Sequence, residues 1–213
     1  MIDNIAPILS QIFNSCIDEG TFPDLMKHSK VIPIFKSGCK KNPSNYRPIS
    51  ILPALSKIFE RIMLDQMLNH FNLNDILHDR QFGFTKGRST TDASARLVTQ
   101  ILEAWESSQD AVGIFCDLSK AFDCVDHDTL ISKLRHYGIR GKSLELVRSY
   151  LSNRQQKVDV CGSTSSGTVV KMGVPQGSIL GPFLFLAYIN DLPFVLSDIS
   201  DVILFADVLP FFF

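Results

Sequence analysis

Two acidic residues each close an apolar run. Gly113-Ile-Phe-Cys116 leads into Asp117, and Val202-Ile-Leu-Phe-Ala206 leads into Asp207. Runs of this length read as buried strands with a charge at the C-terminal end. Were the two strands neighbours, both carboxylates would emerge at one edge of a sheet. Carboxylates held that close are costly unless a cation neutralises them. A hard divalent ion with oxygen ligands, such as Mg²⁺, answers that need. A two-metal site of this kind activates a 3′-hydroxyl and stabilises departing pyrophosphate in phosphoryl transfer. Considered singly, each Asp also serves as a turn former or helix cap.

The elements that must position these residues follow from spacing. Ile5, Ile8, Leu9, Ile12, Phe13, Cys16 and Ile17 recur at helical intervals, with Gly20 as the stop. Val31–Phe35, interrupted by Pro33, suits an edge strand. Ser37–Ser50 reads as a polar loop, and Leu55 to about Phe71 as a second helix. Gln81–Thr91 is loop-like; Ala93, Leu97, Ile101, Leu102 and Trp105 then mark one face of a third helix. Two short helices, Thr129–Tyr137 and Ser143–Leu151, are separated by Gly138 and Gly141. Lys157–Val160 and Val169–Met172 flank a Gly/Ser/Thr turn, the pattern of a hairpin. An apolar helix is expected over Ser178–Asn190. Helices and strands alternate irregularly, which points to an α+β fold.

Composition narrows the class. The 213 residues suffice for one large domain or two small ones, and 45% hydrophobic with 20% charged residues is globular. A net charge of -1 removes any whole-chain basic signature, so nucleic-acid contact would rest on local clusters. Arg135, Arg140, Lys142, Arg148, Arg154 and Lys157 form one such stretch, which suits either a duplex or the outer side of two helices. Five cysteines without a C-x-x-C spacing argue against a disulfide framework and a zinc site, and for a reducing compartment. No signal peptide is visible, and Phe183–Ile189 falls short of the roughly 20 residues that span a bilayer. The expectation is a soluble intracellular protein without a membrane partner, with neither nucleus nor cytoplasm singled out. Both ends of the chain read as cut.

Five blocks occur in order. They are Asn45-Tyr-Arg-Pro-Ile-Ser50; Gln81-Phe-Gly-Phe84 with Gly87-Arg-Ser-Thr90; Phe115-Cys-Asp-Leu-Ser-Lys-Ala-Phe-Asp123; Gly173-Val-Pro-Gln-Gly-Ser-Ile-Leu-Gly-Pro182; and Phe205-Ala-Asp207. Together they resemble the successive motif blocks of reverse transcriptases of non-LTR (LINE-type) retrotransposons, over about Phe22 to Asp207. The resemblance implies a right-hand polymerase fold of fingers and palm, with the thumb absent. Residues 1–21 would be an N-terminal helix, 22–110 mainly fingers, and 111–213 a palm incomplete at its catalytic hairpin. It implies an RNA-directed DNA polymerase using Mg²⁺ (Mn²⁺ as a substitute), dNTPs, an RNA template and a DNA primer.

Roles carry over position by position. Asp117 and Asp207 match metal-holding catalytic carboxylates. Phe122 matches the aromatic gate that excludes a ribose 2′-hydroxyl. Gln176 and Gly177 match the block beside the incoming nucleotide, whose glycines allow close backbone approach. Lys36 and Arg47 match basic residues on the triphosphate. Arg88, with Lys86 and Arg80, would track template phosphates. Each basic residue also suits a solvated loop. Asp123, Asp126 and Asp128 read as caps and turn formers, with His127 in the same turn.

One position departs from the pattern. The family's turn carries a second Asp where this chain has Val208, which offers no metal-binding atom. Pro210 is expected to weaken pairing of the strand that follows, leaving a Phe triplet at an unpaired edge. These features suggest an impaired polymerase, or an inactive retroelement remnant that at most binds nucleic acid.

Overall fold

The computed structural model describes residues 2–118, 120–198, 200–205 and 208–212. In chain order its helices are α1 (Ile2–Glu19), α2 (Ala54–Leu73), α3 (Thr90–Glu106), α4 (His127–His136), α5 (Gly141–Leu151), α6 (Gly181–Ile189) and α7 (Leu192–Leu196). Its strands are β1 (His28–Phe35), β2 (Tyr46–Ile51), β3 (Gly113–Asp117), β4 (Arg154–Val160), β5 (Ser163–Thr164), β6 (Thr168–Val170), β7 (Asp201–Val202) and β8 (Val208–Phe212). The architecture is α+β. The chain divides into two compact units that interleave in sequence: Met1–Leu68 with Phe122–Gly181, and Asn69–Ala121 with Pro182–Phe213. Among the described residues no helix is long and apolar enough to cross a membrane.

The first unit is organised around aromatic residues. The expected stop of α1 is a Schellman motif: Gly20 takes φ +68°, Thr21 N–H donates to Cys16 O, and Gly20 N–H donates to Ile17 O. This directs Phe22 inward. Phe13 and Phe22 both stack on the ring of Phe59 of α2, at centroid distances of 4.7 and 5.2 Å. Tyr150 of α5 meets Phe22 edge-on at 5.1 Å. Such pairs add about 0.5–1.5 kcal/mol each beyond the area they bury. Asp126 caps α4 by accepting the Thr129 N–H at 2.8 Å, as the sequence suggests.

The five-stranded sheet of this unit runs β2-β1-β4-β5, with β6 also paired to β4. One expectation fails here and one holds in part. The expected edge strand lies in β1, which has β2 on one side and, over His28–Val31 only, β4 on the other, so Ile32–Phe35 keeps an open edge. The supposed loop Ser37–Ser50 ends in β2. Proline is admitted because β4 pairs only with His28–Val31, so Pro33 lies beyond that ladder. On the other side Pro33 faces Pro48. Antiparallel ladders alternate bonded and non-bonded pairs. Ser50 donates its N–H outward, to Gln176 O, so Pro48, two residues earlier, occupies a position whose N–H is not needed by β1.

The second unit is built differently. Its sheet runs β3-β8-β7. Val202, Ile203 and Leu204 are buried, but the regular strand covers only Asp201–Val202. Leu204 instead bridges to Gln81, exchanging backbone hydrogen bonds with Arg80 and Phe82. α3 is set by a capping box, with Ser89 and Asp92 bonding each other's backbone. Its apolar face is exposed: Val98, Ile101, Leu102 and Trp105 all face solvent, and none of its residues is buried. β3 was expected to be buried, yet Phe115 is 65% exposed and Ile114 46%. β3 has one strand partner, and pairing along an edge covers backbone, not side-chain faces. α6 is apolar on all sides, and Phe183 packs on Phe71 at 4.9 Å.

Candidate active site

The carboxylate end is defined by strand register. The neighbour of β3 is β8, not the Val202 segment, which lies one strand further away. Asp117 pairs with Val208, Cys116 with Leu209 and Phe115 with Pro210. Asp117 therefore stands across from the residue that follows Asp207 in sequence. Asp207 itself lies outside the described residues. Pairing runs through Pro210, which stands opposite Phe115, and Phe211 and Phe212 are not left at an unpaired edge. β8 is the central strand, with Phe211 and Phe212 paired to β3 on one side and β7 on the other. A strand flanked on both sides can omit one donor and keep its remaining ladder bonds.

The first unit gathers the residues assigned to the nucleotide. Arg47 pairs with Ile34 across β2 and β1, and the Lys36 N–H extends that ladder by donating to Asn45 O at 2.8 Å. Residues 34 and 36 point to the same face of a strand, so Lys36 and Arg47 are diagonal neighbours on one face of the hairpin. Both are exposed, and among the described residues neither forms an ion pair. Two adjacent cations without acids suit a polyanion.

The segment Gly173–Leu180 is stitched to two of these elements by backbone. Val174 N–H donates to Phe122 O and Gly173 N–H to Val125 O, both at 2.8 Å. Gly173 has φ +86°, and a Cβ there would lie 2.8 Å from both Asp123 Cα and Phe122 O. Gly177 has φ +109°, and its Cβ would lie 2.6 Å from Ser50 O of β2. Ser50 N–H donates to Gln176 O at 2.7 Å. The glycines thus permit a backbone approach that any side chain would block. Phe122 is half-buried in a 3-10 turn, and the Gln176 amide reaches toward Asp123 Oδ1 at 3.5 Å. His127 Nε2–H donates to Gly173 O at 2.8 Å, a tie the sequence did not indicate.

Glu60 also escaped the sequence reading. Its carboxylate, on α2, accepts the N–H groups of Ile179 and Leu180. The available signal was a polar pair, Ser56 and Glu60, spaced four apart beside the core residues Phe59 and Met63.

Several basic residues prove to have structural partners. Arg88 Nη1 donates to the carbonyl oxygens of Asp79 and Gln81, and its guanidinium lies 5.3 Å from the Phe82 ring centroid. Arg80 pairs with Asp201, which also accepts from Gln100. Arg154 is buried over the Tyr150 ring, and Arg148 lies 3.6 Å from Asp128. The long basic stretch is thus not one continuous duplex-facing surface.

A model of the family described as reverse transcriptase (RNA-dependent DNA polymerase) matches residues 39–212. The chain is 38% identical over 192 residues to a probable RNA-directed DNA polymerase from transposon BS of Drosophila melanogaster, covering 87% of this chain and 20% of that protein. It is 38% identical over 194 residues to the RNA-directed DNA polymerase from mobile element jockey of the same species, covering 90% and 21%. The chain spans about a fifth of the length of these curated relatives. Telomerase from Candida tropicalis, solved with the TWJ fragment of telomeric RNA, superposes with a TM-score of 0.64 at 15% identity, covering 98% of this chain and 40% of that one. That likeness establishes a fingers-and-palm type of polymerase fold.

Proposed function

The chain belongs to the reverse transcriptase (RNA-dependent DNA polymerase) family, in the form carried by non-LTR retrotransposons, and from that premise we propose that it extends a DNA primer along an RNA template as part of a larger protein. The primer 3′-oxygen attacks the α-phosphorus of a dNTP, the bond to the bridging oxygen breaks, and pyrophosphate leaves. Asp117 and Asp207 would hold Mg²⁺, or Mn²⁺ in its place. Two aspartates are a hard oxygen donor set and suit such an ion. When bound, the ion neutralises charge on the phosphoryl oxygens and the leaving group.

The remaining roles belong to side chains and backbone. Lys36 and Arg47 hold the triphosphate as a point charge and a forked donor. Phe122 lies under the sugar and favours dNTPs. Gln176 and Gly177 present a closely approachable backbone beside the incoming nucleotide. Arg88 keeps unused N–H donors for a template phosphate after its two carbonyl bonds are made. The β3–β8 register supports this reading most directly, since it sets Asp117 beside the residue that follows Asp207.

Val208 stands where the family has a further Asp, and activity should be low for that reason. Primer extension on poly(rA)/oligo(dT) with Mg²⁺ or Mn²⁺ tests both parts. Weak, non-processive extension is expected, rising on the order of tenfold or more in Val208→Asp. Robust extension by the unaltered chain would overturn the impairment. No extension by either form, with no dNTP binding, would overturn the polymerase assignment.

A further inference from the structure

We propose that Glu60 is a positioning residue for the nucleotide-side turn at Gln176–Leu180, a role that rests on the function proposed above. Glu60 is 0% exposed. A carboxylate is rarely buried without partners, because removing its charge from water is costly. Here every oxygen is occupied. Oε2 accepts from Ile179 N–H at 2.8 Å and from Leu180 N–H at 3.2 Å, and Oε1 accepts from Ser56 Oγ–H at 2.9 Å. Tyr150 and Arg154 are buried alongside, with Arg154 Nη1 donating to Tyr150 O at 3.1 Å.

The turn is pinned at three places. Backbone alone supplies two of them: Gly173 and Val174 on residues 122–125, and Gln176 on Ser50. Glu60 supplies the third, a buried side chain reaching 119 and 120 residues along the chain to the end of the turn opposite the His127–Gly173 contact. Two successive N–H groups on one oxygen fix the tilt of the peptide between them as well as its position. Ser178 passes the constraint on: its hydroxyl donates to Pro175 O at 2.8 Å and accepts from Gly181 N–H at 3.0 Å. Gln176 carries the Ser50 tie, and Gly177 lies between it and the Glu60 tie at Ile179. An apolar side chain of similar size would fill the space at lower cost. It could not accept the two amides.

Three variants of the full chain test this. In Glu60→Gln the amide oxygen still accepts from Ile179 and Leu180, while the NH₂ donates to Ser56, whose hydroxyl turns to accept. In Glu60→Leu both amides lose their acceptor. In Glu60→Asp the charge remains but the reach is one methylene shorter. Hydrogen exchange over residues 174–181 should accelerate about tenfold or more in Glu60→Leu and Glu60→Asp, with α4 and α5 unchanged, while Glu60→Gln stays near the native rate. In primer extension, Glu60→Leu should raise the dNTP KM about tenfold and alter kcat far less. A purely structural role would instead accelerate exchange in α4 and α5 equally and lower the active fraction without moving KM. Native exchange rates at 174–181 in Glu60→Leu or Glu60→Asp, or a uniform rise, would overturn the proposal; Glu60→Asp decides it if Glu60→Leu does not fold. A native chain that neither binds nor incorporates dNTP would overturn the assignment of the turn to nucleotide, and the exchange result would still decide the Glu60 tie.

Discussion

Residues 173–181 and residues 113–117 both carry candidate active-site groups, and different forces hold them. The first segment is fixed by close backbone approaches and a buried side-chain acceptor. Gly173 and Gly177 touch neighbouring backbone, and a buried carboxylate accepts the amides of Ile179 and Leu180. The second is a strand whose side chains are mostly exposed, tied by a ladder to β8 alone. A segment of the first kind is specified by the contacts of particular atoms, such as the missing Cβ of Gly173 and Gly177. One of the second kind is specified chiefly by register. On the function proposed, Asp117 is the position within β3 whose residue type is required.

Four measurements would break or sharpen that contrast. The largest effect is expected from Asp117→Asn, which removes a charged oxygen ligand and should lower Mg²⁺-dependent dNTP incorporation on the order of 10³-fold. Its thermal unfolding should stay near native. A large loss of stability instead would show that β3 is held by Asp117 and not by its ladder. Next is Gly177→Ala, whose Cβ meets Ser50 O in a positive-φ backbone; denaturant unfolding should show a loss of about 2–3 kcal/mol.

A pH titration of stability comes third. Burial pushes the Tyr150 phenol up, and the neighbouring Glu60 adds to this. Its hydroxyl faces Glu60 and Ser178 without a well-aligned hydrogen bond. The folded state therefore retains the phenolic proton after the unfolded chain, near pH 10, has lost it. Stability is fully present below that pH and falls above it, by up to about 1.4 kcal/mol per pH unit. Tyr150→Phe should abolish that slope, and at neutral pH should change stability little because no well-made bond is lost. The smallest effect belongs to Phe115→Thr, a strand-compatible change at an exposed position, expected to stay within about 0.5 kcal/mol by the same denaturant assay. A cost of several kcal/mol there would erase the contrast between the two segments.

Much of the fold was legible from local patterns. Helical spacing located α1, α2, α4 and α5, and Gly20 marked a real C-terminal cap, because periodicity and cap chemistry are short-range. β2 was missed because its run, Tyr46-Arg-Pro-Ile-Ser-Ile51, carries Arg and Pro where a strand is usually apolar. Only its partner shows that Pro48 sits at a position needing no donor. β1 was placed as a strand, and what spacing could not show was that β4 pairs with its first residues, His28–Val31. The exposure of α3 and β3 was invisible, since amphipathicity states which face is apolar and not what covers it.

By itself the sequence determined the family, through five ordered blocks, and with it the residue types of the candidate site: Asp117, Asp207, Phe122, Gln176, Gly177, Lys36, Arg47 and Arg88. It also determined the substitution at Val208. The tertiary structure decided which residues are neighbours. It paired Asp117 with Val208, laid Lys36 and Arg47 on one hairpin face, gave Arg88 two backbone carbonyls, and brought Glu60 to amides more than a hundred residues away. Such pairings depend on how strands register and helices pack over long separations, whereas residue type and local spacing act only within a few turns of the chain.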